Sequence, residues 1–147
     1  MEIGLWLPVW EMIERRYAEK GLGDLDEDER LWLVLRRAID EVENDGLLGL
    51  FCAAKPPQPR ELLAAWLAIG AEDMHNVFER ATALLPQGLP PEDDDQCEAL
   101  IKLWQDDDYA KLVAEIEDDF YELLPQSEEL LDEVVKKILM RSATARE

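Results

Sequence analysis

Few residues of this chain could carry catalysis or bind a metal. His75 is the only histidine, so any histidine-dependent triad or proton relay would have to use it. Glu72 and His75 form a Glu-x-x-His pair, the spacing that places two ligands on one helix face in di-iron carboxylate bundles. Those bundles need the pair twice, and the chain has no second histidine. We therefore expect no enzyme activity, cofactor or metal, with a small metal-binding protein or enzyme using Glu72 and His75 as the alternative.

Two runs of aspartate have the composition of calcium loops but not their order. An EF-hand needs alternating acids, a central glycine and a glutamate at position twelve, and neither Asp93-Asp94-Asp95 nor Asp106-Asp107-Asp108 has that pattern. The Gly21-Leu22-Gly23 pair lacks the third glycine and the preceding strand of a phosphate-binding loop. The sequence therefore gives no calcium or phosphate site.

Cys52 and Cys97 are the two cysteines of the chain, 45 residues apart, with no CxxC spacing and no partner histidines. This pattern fits neither a zinc site nor a disulfide framework. We expect two part-buried thiols.

Net charge limits the partners. The 147 residues carry 35 acids and 15 bases, a net charge of −20, while 48% of the residues are apolar. A disordered acidic tail would be poor in apolar residues, so this composition predicts a folded acidic domain. Its field repels phosphate backbones and anionic lipids, which argues against direct binding to nucleic acid or membranes.

Most of this charge is concentrated in one acidic segment, residues 92–133. It holds 17 acids against only Lys102 and Lys111, a net of −15, whereas residues 1–91 have a net of −8 and residues 134–147 a net of +3. A localised field of this kind favours a basic partner.

The helix predicted over residues 106–124 places its acids on one flank. On a helical wheel with 100° per residue, Ile116 marks the centre of the stripe that faces the core. Five acids then lie on one side of Ile116, between about 60° and 160° from it around the helix. Neighbours on such a flank lie roughly 5–6 Å apart, close to the separation of successive phosphates, although like charges at that spacing destabilise an isolated helix. An ordinary solvated face is the alternative. The predicted partner-binding acidic surface comprises Asp93, Asp94, Asp95, Asp106, Asp107, Asp108, Glu115, Asp118, Asp119 and Glu122.

Hydrophobic periodicity is helical almost throughout, and no stretch alternates as a half-buried strand would. The expected fold is all-α, a single compact domain over residues 1–147 with about seven helices. Asp26 and Glu29 predict a capping box at the start of the most regular helix, and Gly70 a helix C-terminus. Residues 86–95 are the one substantial predicted loop.

Two further boundaries are predicted near the C-terminal end. Pro125 should end the helix over 106–124, and Ser127 should cap a last helix carrying Leu130 to Leu139. The five tryptophans lie in or beside apolar stripes and are expected in the core; a self-association surface at Trp6 and Trp10, and so a homodimer, is the alternative.

The N-terminal sequence lacks the basic start and long apolar stretch of a signal peptide. The longest apolar stretch, residues 46–54, is about half the length of a membrane span. We therefore expect a cytoplasmic protein.

Four stretches together resemble one known family. They are residues 39–46, IDEVENDG, then Phe51, then residues 68–71, AIGA, then residues 116–121, IEDDFY. The chain is similar over about residues 30–140 to the bacterial DNA-mimic-protein family, an all-α domain with an E-V-x-N-G-G motif, an aliphatic-Gly-Ala step and an L-D-x-x-F-Y element. The matching positions are Glu41, Val42, Asn44, Gly46, Phe51, Gly70, Phe120 and Tyr121, with a structural or unknown role.

Two positions depart from the family pattern. Asp45-Gly46 replaces the family's Gly-Gly, and Cys52-Ala53 follows Phe51 without the family's asparagine. The resemblance implies an acidic interaction protein that binds a basic DNA-binding protein, such as a transcriptional regulator, at its DNA-reading surface. An inhibitor of a restriction or guide-RNA nuclease is the alternative within the same class.

Overall fold

In the computed structural model, residues 11–15, 25–53, 56 and 58–145 are described, with side chains to residue 140. Every regular element among them is helical, as the periodicity predicts. Residues 11–15 are helical, and six helices whose bounds lie within the described residues follow, close to the seven or so helices predicted. They are α1 (Glu27–Phe51), α2 (Pro59–Ala68), α3 (Glu72–Ala83), a 3-10 helix (Pro86–Gly88), α4 (Asp94–Trp104) and α5 (Asp107–Ala145).

Local signals set the helix ends that the sequence predicts. Asp26 accepts a hydrogen bond from the backbone N–H of Glu29 at 2.9 Å, and the Glu29 carboxylate accepts one from the N–H of Asp26 at 3.2 Å. The predicted capping box is therefore confirmed. Gly70 follows the end of α2 with a φ of 83°, the left-handed conformation that glycine adopts freely after a helix.

The core lies where α1, α2, α3 and α5 meet. Trp66 of α2 stacks on Phe78 of α3 with ring centroids 5.4 Å apart, and Phe78 meets Phe120 of α5 edge-on at 6.0 Å. All three rings are fully buried, as is Trp32 of α1. Burial of these rings fixes α5 against the other helices. The predicted burial of Trp32, Trp66 and Trp104 is confirmed; Trp6 and Trp10 lie outside the described residues.

Gly46 divides α1 into two parts. Its φ of 71° and ψ of −169° fall in a region that is essentially restricted to glycine, so the chain turns there and a short helix, residues 47–51, follows. Leu47, Leu50 and Phe51 of this short helix are buried. The glycine thus redirects the chain into the core.

Pro125 does not end a helix, and that prediction is wrong. The helix α5 runs through it to Ala145, and Ser127, instead of capping a new helix, donates its hydroxyl to the carbonyl oxygen of Leu123 at 3.1 Å. Pro125 is exposed, while Leu131 and Val135 beyond it are fully buried. Packing of the second half of α5 therefore outweighs the hydrogen bond that proline cannot make.

The prediction of two thiols is also wrong. Cys52 and Cys97 form a disulfide with Cα atoms 5.8 Å apart, joining the end of α1 to α4. Their spacing gave no sign of the bond because the fold, rather than a motif, brings them together. The predicted 86–95 loop is shorter than expected as well, since it contains the 3-10 helix and the start of α4.

None of the helices in the described part of the chain is both long and apolar enough to cross a membrane.

Candidate functional site

The first part of the predicted acidic surface is the start of α4. Asp93 is the N-cap and accepts a hydrogen bond from the backbone N–H of Gln96 at 2.8 Å. Asp94 and Asp95 occupy the first turn, and all three carboxylates are exposed. Acids at this end of a helix interact favourably with its dipole, so they are locally stable and still open to solvent.

The second part is the junction of α4 and α5. Asp106 accepts a hydrogen bond from the backbone N–H of Asp108 at 3.1 Å, which places Asp106 at the entry to α5. Asp107 and Asp108 lie in the first turn of α5, and all three side chains are exposed. The two aspartate runs therefore each precede or begin a helix.

The third part is the flank of α5, where the structure agrees with the helical wheel. Ile116 and Phe120 are buried, and Glu115, Asp118 and Glu122 are exposed. The buried stripe fixes the backbone of α5 against the core. The exposed carboxylates are therefore presented from a rigid support, at intervals of roughly 5–6 Å for neighbours three or four residues apart.

Asp119 differs from its neighbours on that flank. Its carboxylate lies 2.7 Å from the guanidinium Nη1 of Arg80 on α3, and both side chains are about half exposed. This ion pair links α3 to α5 across a groove lined by Asp73 and Glu122. Asp119 therefore contributes less free negative charge than the sequence predicts.

Most acids of residues 92–133 form no ion pair among the described side chains. Within the described side chains, only Asp119 and Glu133 of this segment form ion pairs, with Arg80 and Lys136 respectively. Lys102 and Lys111, the only bases of the segment, are exposed. The concentrated charge seen in the sequence is thus a concentrated surface charge in the fold.

A second group of acids has a different environment, at the contact of α1 and α5. Arg36 is buried and donates to Asp40 at 2.9 Å and to Glu43 at 3.4 Å. Burial raises the pKa of Glu43; the charges of Glu128 on α5 and of Asp40 raise it further, against the opposing effect of Arg36. Asp40 and Glu43 are thus paired with an arginine of their own helix, unlike Glu115, Asp118 and Glu122 on the flank of α5.

Two of the four stretches that resemble the family, residues 39–46 and 116–121, meet in one place. Gly46 lies against Glu117, whose carboxylate accepts a hydrogen bond from the backbone N–H of Leu47 at 3.4 Å. The Tyr121 hydroxyl donates to the carbonyl oxygen of Val42 at 3.4 Å. Residues 42–47 of α1 and residues 117–121 of α5 are thus held together by these contacts. Val42, Phe51 and Phe120 are buried there, Glu41 is half-buried and Asn44 is exposed.

These contacts join α1 to α5 across 70 or more residues of sequence. At this kink Gly46 supplies the backbone conformation that only glycine adopts freely. Glu117 and Arg80 are the residues that sequence reasoning did not single out. Glu117 lies in the 116–121 stretch that resembles the family, and no other feature of the sequence indicates a role for it. No feature of the sequence indicates a role for Arg80.

The Glu72 and His75 pair lies at the start of α3. Glu72 is exposed; the imidazole of His75 lies 3.2 Å from the side-chain oxygen of Asn76 and 3.9 Å from the Glu79 carboxylate. Within the described residues, no three side chains of His, Cys, Asp or Glu are placed to hold a metal ion together.

Comparison with known proteins identifies one family. The model of the DMP19-like protein family matches residues 23–138, which include the kink at Gly46, the disulfide and the acidic surface. No curated protein and no solved structure matches the chain significantly.

Proposed function

Because the chain belongs to the DMP19-like protein family, we propose that it is a DNA mimic that binds a basic DNA-binding protein, such as a transcriptional regulator, in place of DNA. The observation that carries the proposal is the row of exposed, unpaired carboxylates on the flank of α5. The family match is consistent with it.

The spacing and support of these carboxylates suit a groove that normally holds a phosphate backbone. Glu115, Asp118 and Glu122 follow one another at intervals of three and four residues, about one helical turn each, and the buried Ile116 and Phe120 keep their backbone in place. A rigid charge array loses little conformational entropy on binding. Lysine and arginine side chains of a DNA-reading surface would meet these carboxylates as they meet phosphates.

The uneven charge also favours a basic partner over simple solubility. A soluble protein needs net charge, but interspersed lysines would give solubility without the repulsion between neighbouring acids. Here the acids of α5 outnumber nearby bases, and only Asp119 of the flank is paired among the described side chains. The field of such a surface accelerates encounter with a positively charged protein.

A competition experiment tests the proposal. DNA-binding proteins of the source organism are purified on immobilised duplex DNA, mixed with labelled duplex, and titrated with this protein in a mobility-shift assay at low salt. We expect at least one of them to be released from the duplex. If none is displaced at any ratio, the chain does not act as a DNA mimic toward them.

Two double variants locate the surface. Asp118→Asn with Glu122→Gln should weaken displacement several-fold. Glu27→Gln with Glu61→Gln removes the same charge from exposed positions of α1 and α2 and should have little effect. Equal losses in both variants would show that net charge, and not the flank of α5, determines binding.

A further inference from the structure

The Cys52–Cys97 disulfide joins a firmly packed part of the fold to a sparsely packed part. Cys52 directly follows the short helix in which Leu47, Leu50 and Phe51 are each 1% exposed. Cys97 lies in the first half of α4, next to the exposed Asp93, Asp94 and Asp95. The bond therefore ties acidic residues of the surface to the core.

No other strong anchor holds this half of α4. From residue 91 to residue 99 no side chain is buried, and only Pro91 and Cys97 are half-buried. The hydrogen bonds of this stretch, from Gln96 to Asp93 and from Glu92 to Gln96, are internal to it. These contacts preserve the helical turn but do not fix its position relative to the core.

The second half of α4 is anchored independently of the disulfide. Leu100 and Trp104 are buried, and the Trp104 indole N–H donates to the carbonyl oxygen of Leu84 at 3.2 Å. Trp104 also meets Phe51 edge-on, with ring centroids 6.2 Å apart. Loss of the disulfide should therefore release the first half of α4 while the second half and the core remain in place.

We propose that this disulfide is a redox-controlled tether that orders the acidic start of α4. Both sulfurs belong to half-buried residues, which a dissolved thiol can reach on local opening. The reductant is a dithiol: one of its thiolates attacks one sulfur, the Cys52–Cys97 bond breaks, and a mixed disulfide forms. The second thiol of the reductant resolves the mixed disulfide. Two electrons and two protons pass to the protein, which gains two S–H groups, and the dithiol becomes a disulfide.

Electrostatic repulsion determines where the released start of α4 moves. Residues 92–95 are four consecutive acids, and the acidic segment around them has a net charge of −15. Once the bond is reduced, repulsion from the rest of the segment favours positions away from the surface. We infer that the oxidised protein presents Asp93, Asp94 and Asp95 in fixed positions and that the reduced protein does not. This consequence rests on the proposed function of the acidic surface.

Hydrogen exchange measures the tether without any partner. The full chain is compared with and without dithiothreitol, and peptides covering residues 91–100 are followed by mass spectrometry. We expect these amides to exchange about tenfold faster after reduction, as in a segment that opens locally, while residues 60–83 stay unchanged. Unchanged exchange in 91–100, or faster exchange throughout the chain, would overturn the proposal. In the Cys52→Ser, Cys97→Ser double variant, residues 91–100 should exchange as fast as in the reduced protein, and dithiothreitol should not change that rate.

A binding measurement tests the consequence separately. An arginine-rich peptide serves as probe, and its affinity should fall several-fold on reduction for the wild-type chain. That difference should vanish when Asp93, Asp94 and Asp95 are replaced by asparagine. Equal affinity of the wild-type chain in both redox states would contradict control of the surface. If no DNA-binding protein is displaced by either redox form, the proposed function fails, whereas the exchange result still decides the tether.

Discussion

The carboxylate of Glu117 accepts a hydrogen bond from the backbone N–H of Leu47, 70 residues earlier in the chain, at 3.4 Å. Leu47 begins the short helix after the Gly46 kink, so its N–H has no acceptor within that helix. Glu117 thus provides, from α5, the capping that a local side chain usually supplies. The kink in α1 and the position of α5 depend on each other through this contact.

Replacing Glu117 by alanine should destabilise the fold by about 1–3 kcal/mol, because it leaves the N–H of Leu47 without a partner in a part-buried site. Glu117→Gln retains an acceptor and should cost less. Urea unfolding followed by tryptophan fluorescence measures both. Glu115→Ala, at an exposed position two residues away, serves as control and should change stability by less than about 0.5 kcal/mol. An equal loss of unfolding free energy in Glu115→Ala would show that Glu117 has no special role in stability.

Gly46→Ala should be more damaging than an alanine at another glycine with positive φ. The Gly46 conformation alone costs another residue about 1–3 kcal/mol, and an added Cβ would lie 2.7 Å from the Glu117 carboxylate. Gly88 has a φ of 69° but nothing within 4 Å of the added Cβ. Gly88→Ala therefore measures the cost of a positive φ without a steric contact. Equal losses of unfolding free energy in the two variants would mean that neither the ψ of Gly46 nor its contact with Glu117 adds to the cost of a positive φ.

Pro125→Ala should stabilise the protein, by up to about 3 kcal/mol, because alanine restores an N–H inside the continuous helix α5. The residue is exposed, so the substitution removes little packing. Pro86→Ala changes a proline at the start of the 3-10 helix, where no such N–H is needed, and should be nearly neutral. Thermal unfolding compares them; a lower melting temperature for Pro125→Ala would show that the proline is required where it stands.

Stability should depend on pH through Glu43 and Asp132, whose pKa values burial raises above 4.5 and 3.8 respectively. A raised pKa means that the folded protein binds the proton more tightly. The contribution of each group is therefore fully present below its ordinary pKa and is lost as pH rises through the higher folded value.

Glu43→Gln should accordingly be more stable than the wild type at pH 7, with the difference shrinking as the pH falls toward 4.5. Asp40→Asn is the comparison, since Asp40 accepts two hydrogen bonds from Arg36 and its loss should destabilise at pH 7. Urea unfolding at several pH values measures both. A Glu43→Gln variant that is less stable at neutral pH would show that its contact with Arg36 outweighs the burial of its charge.

Binding of a basic partner should weaken steeply with salt. The carboxylates on the α5 flank are exposed, and added ions screen exposed charges over a Debye length of about 8 Å at 0.15 M salt. Most of the change should be in the association rate. Surface-plasmon measurements at several salt concentrations would show it; an affinity that is independent of salt would contradict binding through this surface.

Residues close in sequence made much of the fold predictable. The Asp26–Glu29 capping box and the end of α2 at Gly70 involve neighbours at most a few positions apart, and both predictions are confirmed. The exposed flank of α5 follows from the helical repeat around Ile116. The end predicted at Pro125 failed because a local preference was weaker than the burial of Leu131 and Val135.

The sequence by itself determined the helical class, the net charge and its concentration in residues 92–133, because composition and a 3.6-residue period are properties of the chain alone. Only the tertiary structure decided which acids form ion pairs, since Arg80 of α3 pairs with Asp119 of α5. It also decided that Cys52 meets Cys97 and that Glu117 meets Leu47. These contacts join residues distant in sequence, and their formation depends on how whole helices pack, which no local pattern encodes.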